Sequence, residues 1–478
     1  MNKLVTTSIP YINDDPHIGH LYEFVLADIF VRYLKILKNK VFFLSGTDEN
    51  GIKIARSAKE KNVDIKKFVD DKYLKFYSLK NKFNLSFNKF IRTSSKQHKE
   101  AVYKVWNLCQ KDIYLGEYKG YYCYSCEAYY DEKEVNNLIC PLHKKKLEKI
   151  EEKNYFFKIT KYTDKIKQLI ERNKIKIYPK EKKIEILNIL RGGKLKDLSI
   201  SRDIKRAYNW GIKVPSDNNQ VIYVWFDALI NYISGLGFGG KNEENFKKFW
   251  LNGEVYHFIG KDIIKFHAIY WPAILLSASI KIPENIVVHY FININKEKMS
   301  KTIGNIIYPD DLLEKYENET IRSYLFSQPI FADWDFDWNN LENFYTGVLK
   351  NELGNLIMRI FGILNKYEGK IKIETNELGK NLEELTKEYH QFMANFEFNL
   401  AFQKIITLVK LINNYINDNQ IWKNLEINKI STLVIALNNL LKLINPIFPT
   451  ISQEIKSYIK LRNNKYFYAK KAKLKPIF

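Results

Sequence analysis

From Leu4 to about Asp112, short runs of β-branched and aromatic residues alternate with longer amphipathic stretches, and this alternation restricts the fold more than any other feature of the chain. Residues 4–9 read as a strand, 18–37 as a helix, 41–44 as a strand and 51–61 as a helix. Such βαβ punctuation predicts a parallel sheet. Between about Ile113 and Gln220 the pattern changes to short segments with clustered Tyr, Cys and Lys, which marks an inserted domain. Strand-like text resumes at 221–226, 256–259 and 286–289, so the sheet is expected to be interrupted and then completed. After about Phe344 apolar residues recur at helical spacing through Leu356, Ile360 and Leu364, and later through Leu408, Leu411, Ile412 and Ile416. That third of the chain predicts an all-α bundle. The expected division is 1–112 and 221–296 for the two halves of the sheet domain, 113–220 for the insertion, 297–344 for a junction, and 345–478 for the bundle.

Composition limits the partners. The chain has 76 Lys plus Arg against 54 Asp plus Glu, a net charge of +22, and its 46% hydrophobic content supports real cores rather than disorder. Positive charge of this size favours nucleic acid, acidic membrane surfaces or anionic small molecules. No uninterrupted apolar run approaches the ~20 residues of a spanning helix, so a soluble protein is expected. Cys109, Cys123, Cys126 and Cys140 are too few and too clustered for a disulfide framework. With a first strand that follows Met1 directly and no leader-like segment before it, the expected compartment is the cytoplasm. From Lys456 onward basic residues occur without acidic ones, which fits either a solvated tail or RNA contact.

Three constellations carry chemistry. His17, Gly19 and His20 lie between the first strand and the first helix. A His-x-x-His pair alone is more often a zinc or packing pair, but this one falls at the C-terminal end of a strand, where open α/β sheets bind ligands. Helix N-terminal amides, imidazole donors and a glycine that leaves room suit phosphate. Lys298, Met299, Ser300 and Lys301 follow the last strand-like run, and two lysines on a mobile loop can neutralise a polyphosphate from the other side. Cys123-x2-Cys126 and Cys140-x2-His143 form two knuckles able to close a Cys3His tetrahedron around Zn2+, a structural site without an open position. The segment 235–240 fits G-x-G-x-x-G but lacks the strand-turn-helix frame, and reads as a loop.

His17-Ile18-Gly19-His20 followed far along the chain by Lys298-Met299-Ser300-Lys301 resembles the class I aminoacyl-tRNA synthetases. The segments 46–51 (GTDENG), 198–202 (LSISR), 223–228 (YVWFDA) and 258–267 (FIGKDIIKFH) make the chain similar, within that class, to the short bacterial or organellar methionyl enzymes. The resemblance covers essentially the whole chain. It implies a Rossmann-like sheet split by a zinc-bearing connective domain, and ATP-dependent attachment of methionine to its tRNA through methionyl-adenylate, with Mg2+ accompanying ATP. It places the phosphates on His17 and His20 and the pyrophosphate on Lys298 and Lys301, with Gly19, Met299 and Ser300 beside them and Gly260 and Asp262 on the adenosine. For methionine it implies Ile9, Tyr11, Trp225, Ala228, Tyr232, Ile263, Phe266, His267 and Trp271, with Asp48 on the α-ammonium. Asn355, Arg359 and Trp422 match the family's anticodon readers, although Arg359 could equally be a helix-surface residue and Trp422 a core residue.

Some positions depart from the family's pattern: Ser8, Leu229, Thr302, Tyr290 where a glycine is usual, and Lys296 in place of a turn glycine. Neither of the last two removes a catalytic group. The rival readings are a synthetase for another amino acid, against which the small insertion argues, and a catalytically dead tRNA-binding paralogue, against which the intact histidines and lysines argue. A monomer is expected.

Overall fold

The computed structural model describes residues 1–469 apart from 124–127, 131–134, 136, 141–144, 194, 300–303, 368–370, 373–375 and 463–465. The chain forms two compact units, one of residues 1–16, 39–81 and 86–288, the other of residues 17–38, 82–85 and 289–478.

The first unit is built on a six-stranded sheet. Its strands are β1 (Asn2–Thr7), β2 (Lys40–Thr47), β3 (Lys89–Arg92), β4 (Lys176–Tyr178), β5 (Glu254–Gly260) and β6 (Asn285–His289), in the order β3-β2-β1-β5-β6-β4. The β1–β2, β1–β5, β2–β3 and β6–β4 pairs run parallel. Leu4, Val5, Thr6 and Thr7 are all buried, without the alternation of a one-sided strand, as expected for a central parallel strand. Strand order reverses at β1, which has its successor β2 on one side and the sequence-distant β5 on the other. Open α/β sheets bind ligands at the carboxyl ends of such strands.

The insertion is antiparallel, a long pairing of Ile113–Cys123 with Glu148–Phe157 flanked by Ala128–Tyr130 and Leu198–Ser199. Two details differ from the sequence reading. Lys176–Tyr178, inside the stretch assigned to the insertion, pairs with β6 at the edge of the main sheet. Residues 221–226 are not one strand of that sheet: Asp217–Ile222 pairs with Ser201–Asp203, and a helix begins at Val224. Tertiary demand overrides β propensity there, because only a helix places Trp225 and Ala228 one turn apart on a common face.

The second unit contains α1 (Ile18–Ile36) and a helical bundle that includes Asn355–Lys366, Gly379–Ala394, Phe398–Asp418, Ile427–Ile444 and Pro449–Tyr458. Against the sequence reading, Ile427–Ile444 is long and apolar enough to cross a membrane by length and composition, but 61% of it is buried in the protein, as for a core helix. The expectation of an all-α bundle needs one correction: Ile371–Lys372, Tyr466–Ala469 and Ile459–Arg462 pair as a small antiparallel sheet. Arg322 helps close this unit from within. Fully buried, it donates to the carbonyls of Phe83, Pro446 and Ile447 and pairs with Asp28 Oδ2 at 2.8 Å, which satisfies a charge that would otherwise be costly to bury.

Candidate active site

His17 is the N-cap of α1, with extended backbone (φ −121°), rather than a residue of its first turn. Its Nδ1 accepts the Gly19 N–H at 3.1 Å, and His20 Nδ1 accepts the His17 N–H at 3.2 Å. This is a capping box made of two imidazoles, satisfying helix N-terminal donors that would otherwise need water. The rings stack 3.8 Å apart with planes 26° from parallel. Because each Nδ1 is an acceptor, the neutral rings carry their protons on Nε2 and present N–H donors there. Burial, with His17 and His289 nearby, holds the His20 imidazole well below its usual pKa. A Cβ on Gly19 would meet His17 Cε1 at 2.9 Å and push the capping ring aside.

The lysine-bearing segment lies in the same unit. Ile292–Ile294 and Glu297–Lys298 form a hairpin whose turn residues Asn295 and Lys296 have φ of 53° and 63°. Lys296 N–H donates to Asp335 Oδ1 at 2.6 Å. The Met299 Cε lies 3.5 Å from the Cβ position of Gly19, so the chain just past Lys298 passes over the first turn of α1. Ser300 and Lys301 lie outside the described residues. The loop is tied to α1 at both ends. His289 Nε2 meets Glu23 Oε2 at 2.8 Å before it, and Ile18 N–H donates to Ile307 O at 2.9 Å after it. Tyr290, where a glycine is usual, is half-buried and donates its N–H to Ile330 O at 3.0 Å.

The first unit carries the residues matched to methionine. Beyond the strands, the chain after β1 stays paired with the chain after β2: Asp48 N–H donates to Pro10 O, Ile12 N–H to Asp48 O, and Tyr11 bridges Asp48. This holds the buried Asp48 beside Tyr11, with Ile9 half-buried just upstream. Trp225 and Phe266 stack 3.6 Å apart with planes 7° from parallel. Tyr232 O–H donates to His267 Nε2 at 2.7 Å, and His267 Nδ1–H donates to Ile263 O at 3.0 Å. Burial pushes the His267 pKa down to about 4, so the ring is neutral and the Tyr232 donor is fixed on it. Tyr232 also packs 6.0 Å from Trp271, and Ala228 is buried. Gly260 ends β5 and is buried, and Asp262 is exposed in the turn that follows.

Sequence reasoning missed two supports. Glu23 and His289 tether the lysine loop to α1, and His257 on β5 holds Thr6 Oγ1 at 2.6 Å while its ring lies 4.2 Å from Tyr232. The available signal was a histidine within each of two apolar strand-like runs.

In the second unit the Arg359 guanidinium lies 5.0 Å from the Trp422 ring and donates to Asn417 Oδ1 at 2.6 Å. Trp422 is 37% exposed, a surface residue rather than a core one. Asn355, exposed, opens the helix that carries Arg359. In the insertion, Cys123 and Cys140 are buried in one small cluster with Leu147, flanked by Tyr121 and Val135. Cys126 and His143 lie outside the described residues. Among the described residues, no three His, Cys, Asp or Glu side chains gather as a metal-ligand set. Cys109 is buried, and burial pushes its thiol pKa up to about 12.

Comparison with known proteins shows the family. The family model for "tRNA synthetases class I (M)" matches residues 3–150 and 130–361, and that for the "Anticodon-binding domain of tRNA ligase" matches 375–474. The methionine–tRNA ligase of Thermotoga maritima is 35% identical over 95% of this chain and 75% of its own length. That of Rickettsia bellii is 38% identical over 87% of this chain and 83% of its own. The structure of Mycobacterium tuberculosis methionyl-tRNA synthetase with methionyl-adenylate superposes with a TM-score of 0.90 at 32% identity, covering 97% of this chain and 95% of that one. The chain therefore belongs to the methionyl branch of the class I aminoacyl-tRNA synthetases.

Proposed function

We propose that the residues described above divide the work of a two-step acyl transfer. The chain is an ATP-dependent methionine–tRNA ligase. In the first step the methionine carboxylate attacks the α-phosphate of Mg2+-ATP, giving methionyl-adenylate and pyrophosphate. In the second, a terminal ribose hydroxyl of tRNA takes the acyl group and AMP leaves. In-line phosphoryl chemistry needs positioning and charge neutralisation more than a protein nucleophile.

His17 and His20 donate from Nε2 to the phosphates, while Lys298 and Lys301 hold the departing pyrophosphate. Gly19, Met299 and Ser300 shape that site, and Gly260 and Asp262 hold adenosine. The carrying observation is the stacked imidazole pair at the N-terminus of α1 with Met299 against Gly19, which brings the lysine-bearing chain to the phosphate donors. Asp48 takes the ammonium. Tyr11, Ile9, Trp225, Ala228, Ile263, Phe266 and Trp271 supply apolar walls, and the Tyr232–His267 pair supplies the polar feature near the thioether.

A Zn2+ ion in the insertion would be held by Cys123, Cys126, Cys140 and His143. Cys123 and Cys140 already share one buried cluster, and three thiolates with an imidazole match the softness of zinc. When bound, the ion supplies structural cross-linking only. Asn355, Arg359 and Trp422 read the anticodon, with the indole as stacking surface. A cytoplasmic location is the reading we keep, since both ATP and tRNA are available there.

The test is methionine-dependent exchange of labelled pyrophosphate into ATP. Lys301→Ala should lower its kcat about 10²-fold, the size of one lost transition-state contact, and unchanged exchange would remove Lys301 from this role.

A further inference from the structure

Three segments distant in sequence are joined by a chain of buried polar groups. Asn50 Nδ2 donates to Asp227 Oδ2 at 2.6 Å and to Thr93 O at 3.2 Å. The other carboxylate oxygen of Asp227 accepts from His98 Nε2 at 2.5 Å, and His98 Nδ1 meets Ser234 Oγ at 2.7 Å. His98, Asp227 and Ser234 are fully buried and Asn50 nearly so. None of the four belongs to the set matched to methionine, yet three adjoin it in sequence and His98 holds Asp227 and Ser234. Asn50 is two residues after Asp48, Asp227 lies between Trp225 and Ala228, and Ser234 is two residues after Tyr232. The neighbouring Glu49 ties the same loop toward β3 through Arg92 and Thr93, whereas Asn50 ties it to the helix of Trp225.

An amino acid is held at both ends at once, its ammonium on Asp48 and its side chain on the aromatic wall, so affinity depends on the distance between those two. We propose that Asn50, Asp227 and His98 are positioning residues that fix this distance and thereby set methionine affinity rather than the chemical step. The inference rests on the ligase reading above. Fully buried charge-assisted hydrogen bonds suit the task, because they have few alternative geometries.

The experiment is pyrophosphate exchange on the full chain, with active sites counted by the adenylate burst, for Asn50→Ala, Asp227→Asn and the milder His98→Gln. Per active site, the methionine KM should rise about tenfold, the equivalent of one net hydrogen bond, with ATP KM and kcat held. The Asn50→Ala/Asp227→Asn double variant should be no worse than the poorer single one, since both cut the same chain. A methionine KM that stays put, with loss confined to the fraction of active sites, overturns the proposal. Should the variants not fold, hydrogen exchange of the wild-type chain decides: methionine should protect 47–50 and 224–234 with one shared concentration dependence, and separate responses overturn it. A wild-type chain without methionine-dependent exchange defeats the ligase reading itself, which is a different failure.

Discussion

The rings of His17 and His20 stack 3.8 Å apart, and each accepts a backbone N–H through Nδ1, so the same pair that caps α1 presents two Nε2 donors. Capping and the proposed phosphate binding are thus separable. Asn is a good N-cap acceptor, so His17→Asn should leave the thermal midpoint nearly unchanged while lowering kcat for pyrophosphate exchange about 10²-fold. His17→Ala should lose the same activity and also about 1 kcal/mol of stability. Equal stability of the two variants by urea denaturation would show that the cap does not matter.

Lys296 sits at φ 63° in the second central position of the hairpin turn, after Asn295 at 53°. Both values belong to a type I′ turn, where glycine is favoured because a Cβ costs energy in the left-handed region. Lys296→Gly keeps the N–H that reaches Asp335 and should stabilise the chain by about 0.5–1 kcal/mol, after the larger entropy of the unfolded glycine is subtracted. A lower urea midpoint would contradict this.

The pKa of His267 is held near 4 against 6.5 for the ordinary side chain, because burial disfavours the charged ring more than the Ile263 carbonyl favours it. Between those values the unfolded chain binds a proton that the folded chain does not. Stability from this group is therefore complete above pH 6.5 and is lost as the pH falls toward 4, with a slope approaching about 1.4 kcal/mol per pH unit. Urea denaturation across that interval should show a shallower slope for His267→Asn than for the wild type. Identical slopes would mean that the ring is not buried neutral.

Trp422 offers an exposed indole with the Arg359 guanidinium 5.0 Å from its ring. Trp422→Ala should raise the tRNA KM about tenfold, within the ~1–3 kcal/mol of one base stacked on an aromatic side chain, and leave pyrophosphate exchange untouched. A change in exchange with no change in tRNA KM would move Trp422 out of the RNA surface.

Metal analysis of the purified chain should find zinc, and Cys123→Ser or Cys140→Ser should lose it. Because the Cys3His set leaves no open coordination position, chelation should lower aminoacylation through the shape of the insertion while pyrophosphate exchange falls less. Full zinc retention in both variants would refute the ligand set.

The alternation of strand and helix patterns from Leu4 onward determined the parallel sheet and its interruption, because hydrophobic period is a local property. Spacing likewise made the imidazole and lysine motifs and the cysteine knuckles legible, since those chemistries depend on neighbours a few residues apart. Other features were decided only when distant parts of the chain came together. Residues 176–178 complete the sheet edge because β6 offers a free edge there, not because their own text differs from the insertion around it. Residues 224–229 became a helix despite β-forming residues, and Asp227 found Asn50 and His98 across more than a hundred residues of chain. Arg322, unremarkable in the sequence, became a buried anchor for Asp28 and three carbonyls. A buried polar group is stable only with partners, and packing rather than local propensity chooses which partners arrive.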